Sequence, residues 1–158
     1  MNGEEMCGCP GSKMQDFRKD TKGGEEEGGT RQSQLRQWPI QLHLVSPQAP
    51  YYQKADVLLS ADCVAFSVGD FHKDYLKGKS IAIACPKLDE GQDVYIEKIK
   101  SFIDDAKINT LTVMTMQVPC CAGLVAMARQ ALQSAKRKIP IKSIVVSLQG
   151  DVLSEDWV

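Results

Sequence analysis

A chain of 158 residues, 43% of them apolar and 25% charged, has the size and composition of one ordinary globular domain. Nineteen basic residues against twenty acidic ones leave a formal charge of −1, which removes any broad electrostatic drive towards nucleic acid or an anionic membrane. With only four Tyr, four Phe and two Trp, composition does not favour a base-stacking platform either.

The acidic start Met1-Asn2-Gly3-Glu4-Glu5-Met6 has none of the basic-then-apolar character of a secretory signal. Asp62, Asp89 and Pro119 interrupt the longest apolar stretches before a bilayer is crossed. The expected location is therefore the cytoplasm, with no membrane partner. Residues 1–33 read as a flexible tail and linker. Seven of the twelve glycines fall in the first 29 residues, and the run from Arg18 to Gly29 has no large apolar side chain with which to offset its ordering entropy. Within that tail sits a cysteine island, Cys7-Gly8-Cys9-Pro10-Gly11-Ser12-Lys13.

Residues 34–158 carry the folded pattern. Ile40, Leu42 and Leu44 alternate with polar residues and predict a half-exposed strand, after which Pro47 and Pro50 force a turn. Val57-Leu58-Leu59, Ser80 to Ala84, Leu111 to Val118 and Ile144 to Leu148 are continuous apolar or β-branched runs of buried-strand type. Between them, Tyr95, Ile99, Phe102, Ile103 and Ala106 recur at helical spacing, as do Leu124, Met127, Ala128, Ala131, Leu132 and Ala135. A shorter helix is expected over Asp70 to Leu76. Alternating strands and helices, with strands apolar on both faces, predict an α/β three-layer sandwich around a mostly parallel sheet of four to five strands.

The cysteines fall at informative places on this map. Cys63, Cys85 and the pair Cys120-Cys121 each stand where a predicted strand ends, and in a parallel sheet those ends share the edge at which such folds bind ligands. Six cysteines in a reducing compartment point to metal ligands or reactive thiols before disulfides. Pro119 suits the first position of a helix, so Cys120 and Cys121 are expected in its first turn, where the dipole favours thiolate. Adjacent helical residues project about 100° apart, awkward for one small zinc ion and easier for an iron–sulfur cluster. No Cys-x-x-Cys occurs. Each thiol taken singly has the alternative of a small buried hydrophobe. Cys7 and Cys9 are additional candidate ligands, against an exposed tail with incidental thiols. His43 and His72 read as structural, Asp62, Asp70 and Asp89 as loop carboxylates near the same edge, Lys87 as a surface lysine, and Met114 and Met116 as core. Neither Gly-x-Gly-x-x-Gly nor a P-loop is present.

Trp38-Pro39-Ile40-Gln41-Leu42-His43-Leu44-Val45, Ala61-Asp62-Cys63-Val64-Ala65-Phe66, Cys85-Pro86-Lys87-Leu88-Asp89 and Val118-Pro119-Cys120-Cys121-Ala122-Gly123-Leu124 resemble blocks of a family of anaerobes. Its members are identified as ferredoxin-type, iron–sulfur cluster-binding oxidoreductases. The resemblance runs from about Leu35 to near the C-terminus, and Gly8-Cys9-Pro10-Gly11-Ser12 resembles a segment that precedes the core. Longer members begin with a ferredoxin module bearing two cysteine-rich cluster motifs, which this sequence lacks.

Residues and resemblance together predict a redox protein, an oxidoreductase component, with a [4Fe-4S] cluster on Cys63, Cys85, Cys120 and Cys121 and electron transfer to a partner. The alternatives are a metal-free or zinc-stabilised accessory domain docking to a separate ferredoxin or oxidoreductase, and a thiol-based redox enzyme using Cys120 and Cys121.

Overall fold

The computed structural model describes residues 14–19 and 29–158; Cys7, Cys9 and most of the glycine-rich run lie outside the described residues. Five strands form the central sheet: β3 (Asp56–Ala61), β4 (Ser80–Ala84), β5 (Thr110–Met116), β6 (Ile141–Val146) and β7 (Val152–Trp157), in the order β4-β3-β5-β6-β7. The first four are parallel, and β7 returns antiparallel against β6. A small ribbon, β1 (Gln15–Asp16) antiparallel to β2 (Gln37–Trp38), precedes them.

The strands are continuous apolar runs because both faces are covered. Val57, Leu58 and Leu59 of β3 and Leu111, Val113 and Met114 of β5 are each at most 1% exposed. Two helices supply one covering layer. α2 (Gln92–Asp104) buries Tyr95, Ile99, Phe102 and Ile103, and α3 (Ala122–Ser134) buries Leu124, Met127, Ala128 and Ala131. Both sets are one-face patterns of a 3.6-residue period, and the two helices pack side by side. The chain steps outward from β3 to β4, then back across β3 to β5. Right-handed crossovers put the β3–β4 connection on the face opposite α2 and α3 once the direction reverses. That connection holds the short α1 (Val64–Ser67) and one π-helical turn, His72–Leu76, where a short helix is predicted. The expected α/β three-layer sandwich is thus observed, with Met114 and Met116 in its core.

Two elements differ from expectation. Ile40 to Leu44 does not run on as a strand: Gln41 bridges Ile83, and the chain then turns, Leu44 and Val45 both donating N–H to the Gln41 carbonyl. Leu42 and Val45 are buried while Leu44 is 51% exposed, so the alternation ends in a turn anchored by Leu42 and Val45. Lys98 of α2 pins this turn, its Nζ donating to the carbonyls of Leu42, His43 and Val45 at 3.0, 2.8 and 2.9 Å. β7 has no counterpart in the predicted elements. Five of its six residues are exposed, so it is an edge strand without a buried periodicity to reveal it. Among the described residues no helix is long and apolar enough to cross a membrane.

Candidate functional site

The reversal between β3 and β5 creates a topological switch point, the place at which ligands bind in open α/β sheets. The chain leaves β3 through Asp62-Cys63, β4 through Cys85-Pro86 and β5 through Val118-Pro119-Cys120-Cys121. Every strand-end cysteine of the sequence map is therefore at this edge. Cys63 is exposed, Cys85 half-buried and Cys121 buried at 8%, and none of the three is in a disulfide. Cys120 shares the turn with Cys121, but its side chain is outside the described residues. Pro119–Cys121 form a 3-10 turn that leads into α3, so the pair stands just before the helix rather than in its first α-turn.

The loops of this rim are held against one another. A Cβ added to Gly123 would lie 3.3 Å from Pro86 Cβ, so the chain just beyond Cys121 is in contact with the chain just beyond Cys85, over the end of the intervening β3. A Cβ on Gly150, whose φ is +91°, would lie 2.1 Å from the Ser67 carbonyl oxygen; the β6–β7 turn therefore seats directly on the end of α1. Gln117 Oε1 accepts the Leu148 N–H at 2.8 Å, and the Asp62 N–H donates to the Ala84 carbonyl at 3.1 Å.

The Cys85 loop is the best defined. The Cys85 N–H donates to Asp89 Oδ2 at 2.8 Å, the Asp89 N–H to the Cys85 carbonyl at 2.9 Å, and the Leu88 N–H to Cys85 Sγ at 3.4 Å. Asp89 Oδ2 also accepts from Gln41 Nε2 at 3.0 Å and from the Tyr95 hydroxyl. Burial, reinforced by that bond to Asp89, raises the Tyr95 phenol well above its ordinary value. His43 lies on Tyr95 with ring centroids 4.1 Å apart and its Nε2 at the Glu90 carbonyl, a structural role as expected. His72 is likewise structural, its Nδ1 accepting the Gln34 N–H at 3.0 Å. Asp62 is different: its Oδ1 is buried and, among the described residues, has no hydrogen-bond partner. Burial, and then the charge of Asp89, pushes its pKa up. Asp70 pairs with Arg31 at 3.2 Å, and Lys87 is an exposed surface residue.

Among the described residues no three Cys, His, Asp or Glu side chains converge as a metal-binding group; the thiols share an edge and touching loops, without a completed ligand set. The donor chemistry of the edge is nevertheless that of a soft metal: thiols, with a backbone N–H directed at one sulfur. Two features escaped the sequence. One is the Gln41–Asp89–Tyr95 knot. The other is a set of exposed apolar side chains on the connections that leave β3, β4 and β6, with Phe66 94%, Leu88 79% and Leu148 58% exposed.

A relative from Archaeoglobus fulgidus, an uncharacterized protein, is 31% identical over 121 residues, covering 75% of this chain and 83% of its own. No solved structure matches. Residues 49–158, from just before β3 to the C-terminus, match the family of Rossmann-like domains, so the switch-point edge described above is part of a shared fold, and the chain belongs to that family.

Proposed function

We propose that this protein is a cytoplasmic redox carrier whose strand-end cysteines, Cys63, Cys85, Cys120 and Cys121, hold an iron–sulfur cluster of the [4Fe-4S] type. It exchanges one electron at a time with a partner ferredoxin or oxidoreductase. The observation that carries this reading is the placement of Cys63, Cys85 and Cys121 on three neighbouring strand ends at one switch point, with the loops of Cys85 and Cys121 in contact. A cluster supplies reversible one-electron chemistry at a potential set by burial and by hydrogen bonds to sulfur. The chain's own part is to present the thiolates, to direct the Leu88 N–H at Cys85 Sγ and to brace that loop through Asp89.

The set of Phe66, Leu88 and Leu148 favours a second reading, in which the domain is a metal-free or zinc-stabilised accessory unit that docks through the same edge. Purification without oxygen, followed by a visible spectrum and by iron, sulfide and zinc analysis, separates the two. Broad visible absorption with near-equal iron and sulfide, lost on Cys→Ser substitution at any of the four positions, is the result expected for the carrier. A colourless, iron-free protein that resists anaerobic reconstitution would overturn it and leave the accessory unit.

A further inference from the structure

The two outer edges of the central sheet are finished differently. At β4 the chain closes its own outward-facing backbone groups. Gln37 stands in for a neighbouring strand, its side-chain amide accepting the Ile81 N–H at 2.8 Å and donating to the Ile81 carbonyl at 2.7 Å. Two residues on, the Ile83 N–H donates to the Ile40 carbonyl at 2.8 Å, and the Ile83 carbonyl accepts the Leu42 N–H at 2.9 Å. At β7, among the described residues, no further strand pairs with the outer side. The Val158 N–H donates to the Ile141 carbonyl at 2.8 Å. Antiparallel bonding alternates residue by residue, so Asp156 and Ser154 also turn their backbone groups to β6, whereas Trp157 and Glu155 turn theirs away from the sheet. Such an edge is a template for another strand unless charge, proline or a covering segment blunts it. β7 has no proline, and Glu155, one of its two charges, is ion-paired with Lys142, whose Nζ lies 5.3 Å from the centre of the Trp157 ring.

The strand is also complementary to itself. Val152-Leu153-Ser154-Glu155-Asp156-Trp157-Val158 carries two apolar residues at each end and three polar ones between, symmetric about Glu155. Trp157 is 68% exposed, Leu153 56% and Val152 41%. Set antiparallel to a second copy with Glu155 opposite Glu155, the sequence brings Val152-Leu153 of each against Trp157-Val158 of the other. Ser154 then meets Asp156, a hydroxyl donor against a carboxylate. Glu155 has the outward N–H and C=O that this centre uses, and each Glu155 keeps its own Lys142 as counter-ion against the like charge opposite. Centring on Ser154 would set Leu153 against Glu155 and Val152 against Asp156; centring on Asp156 would set Trp157 against Glu155. The bulge opposite Val145 and Val146 lies at the Leu153 end, outside the central pairs.

We propose that two copies of this chain associate through β7, edge to edge and antiparallel about Glu155, joining their five-stranded sheets into a single continuous one. The two-fold axis is perpendicular to the sheet, so the strands run in opposite directions in the two copies. Their cysteine edges therefore lie at opposite ends of the dimer, both open to a partner. The association does not depend on what those cysteines bind.

Sedimentation of the full-length chain, purified without oxygen and kept reduced, is followed from about 1 to 200 μM. A strand-edge contact is small beside a standard interface, so a dissociation constant of about 10 μM is expected. Glu155→Pro deletes the outward donor at the centre and leaves the bonds to β6 in place; it should weaken association by about tenfold or more with an unchanged far-UV spectrum. The register is read separately with Glu155→Cys and Asp156→Cys. Position 155 opposes itself at a Cα separation of about 5.5 Å, which a disulfide spans, whereas position 156 is about 8 Å from its own counterpart, which a disulfide does not. Diamide takes two electrons and two protons from a thiol pair and is reduced to the hydrazine. The 155–155 disulfide, told apart from bonds of the native cysteines by peptide mapping, should form about tenfold faster than 156–156. A monomer at every concentration overturns the proposal, whether the edge is then bare, covered by the same chain or kept for another protein. So does a dimer in which the two cysteine variants cross-link at equal rates or in the reverse order. Should Glu155→Pro not fold, the cross-linking pair, which leaves every backbone bond intact, decides.

Discussion

At the scale of single residues, Asp89 is the group on which most depends. One carboxylate oxygen accepts from the Cys85 N–H, the Tyr95 hydroxyl and Gln41 Nε2, tying a cysteine loop to α2 and to the turn before β3. Asp89→Ala leaves these donors short of an acceptor, and hydrogen bonds to charged groups are each worth about 1.5–3 kcal/mol. We expect a loss of about 3 kcal/mol in denaturant unfolding and faster alkylation of Cys85, whereas Tyr95→Phe costs about 1 kcal/mol and leaves the alkylation rate near wild type. Asp104 gives a pH signature away from this edge. It accepts the N–H groups of Arg137 and Lys136 at 3.0 Å each; these bonds, the one from Arg137 foremost, hold its carboxyl below the ordinary 3.8. A depressed carboxylate stabilises the fold above its unfolded value and ceases to do so as the pH falls through the folded one. Asp104→Asn, which keeps an acceptor and removes the charge, should lower the unfolding midpoint at neutral pH, with the difference closing well below pH 3.8.

At the scale of elements, the informative positions are those where loops meet. Gly150 carries a positive φ and has no room for a Cβ against Ser67, so Gly150→Ala combines backbone strain with an overlap against main chain that has nowhere to go. A loss on the order of 3 kcal/mol is expected, read as a shifted denaturant midpoint with unchanged slope. Lys98→Met keeps the aliphatic stem but removes three donors from the Leu42–Val45 turn. About 1–2 kcal/mol should be lost, because water replaces part of the bonding at these half-exposed carbonyls. The sequence made the placement of the thiols legible since an apolar run that stops at a cysteine marks both a strand and its end, and parallel strands send those ends to one edge. It hid the Asp89 knot because Gln41 is 48 residues from Asp89 and 54 from Tyr95, and no local pattern records such a meeting. It hid β7 because solvent-facing residues carry no periodicity, and it misplaced Ile40 to Leu44 because three alternating apolar residues look alike in a strand and in a short bridge that ends in a turn.

At the scale of the whole molecule, the set of Phe66, Leu88 and Leu148 is drawn from the connections after β3, β4 and β6, which are distant in sequence. Large side chains left this exposed contribute little to folding, so changing them tests binding alone. Phe66→Asp and Leu88→Asp should each move stability by no more than about 0.5 kcal/mol. Under the proposed function, each should slow electron exchange with a reduced ferredoxin on the order of tenfold, equivalent to about 1.4 kcal/mol. Unchanged exchange in both variants would place the docking surface elsewhere.

The contact between Pro86 and Gly123, across the end of a strand that belongs to neither loop, has a consequence for how the protein is made. A thiol cluster written as closely spaced cysteines takes shape as soon as that short stretch leaves the ribosome. Here, of the strand-end thiols, Cys63 and Cys85 are made before β5, which must be synthesised, cross back over β3 and insert beside it before Pro119 can carry Cys121 to the same edge. Under the proposed function, a chain interrupted before β5 therefore carries only part of the ligand set at that edge, and the cluster is completed on a sheet that already includes β5.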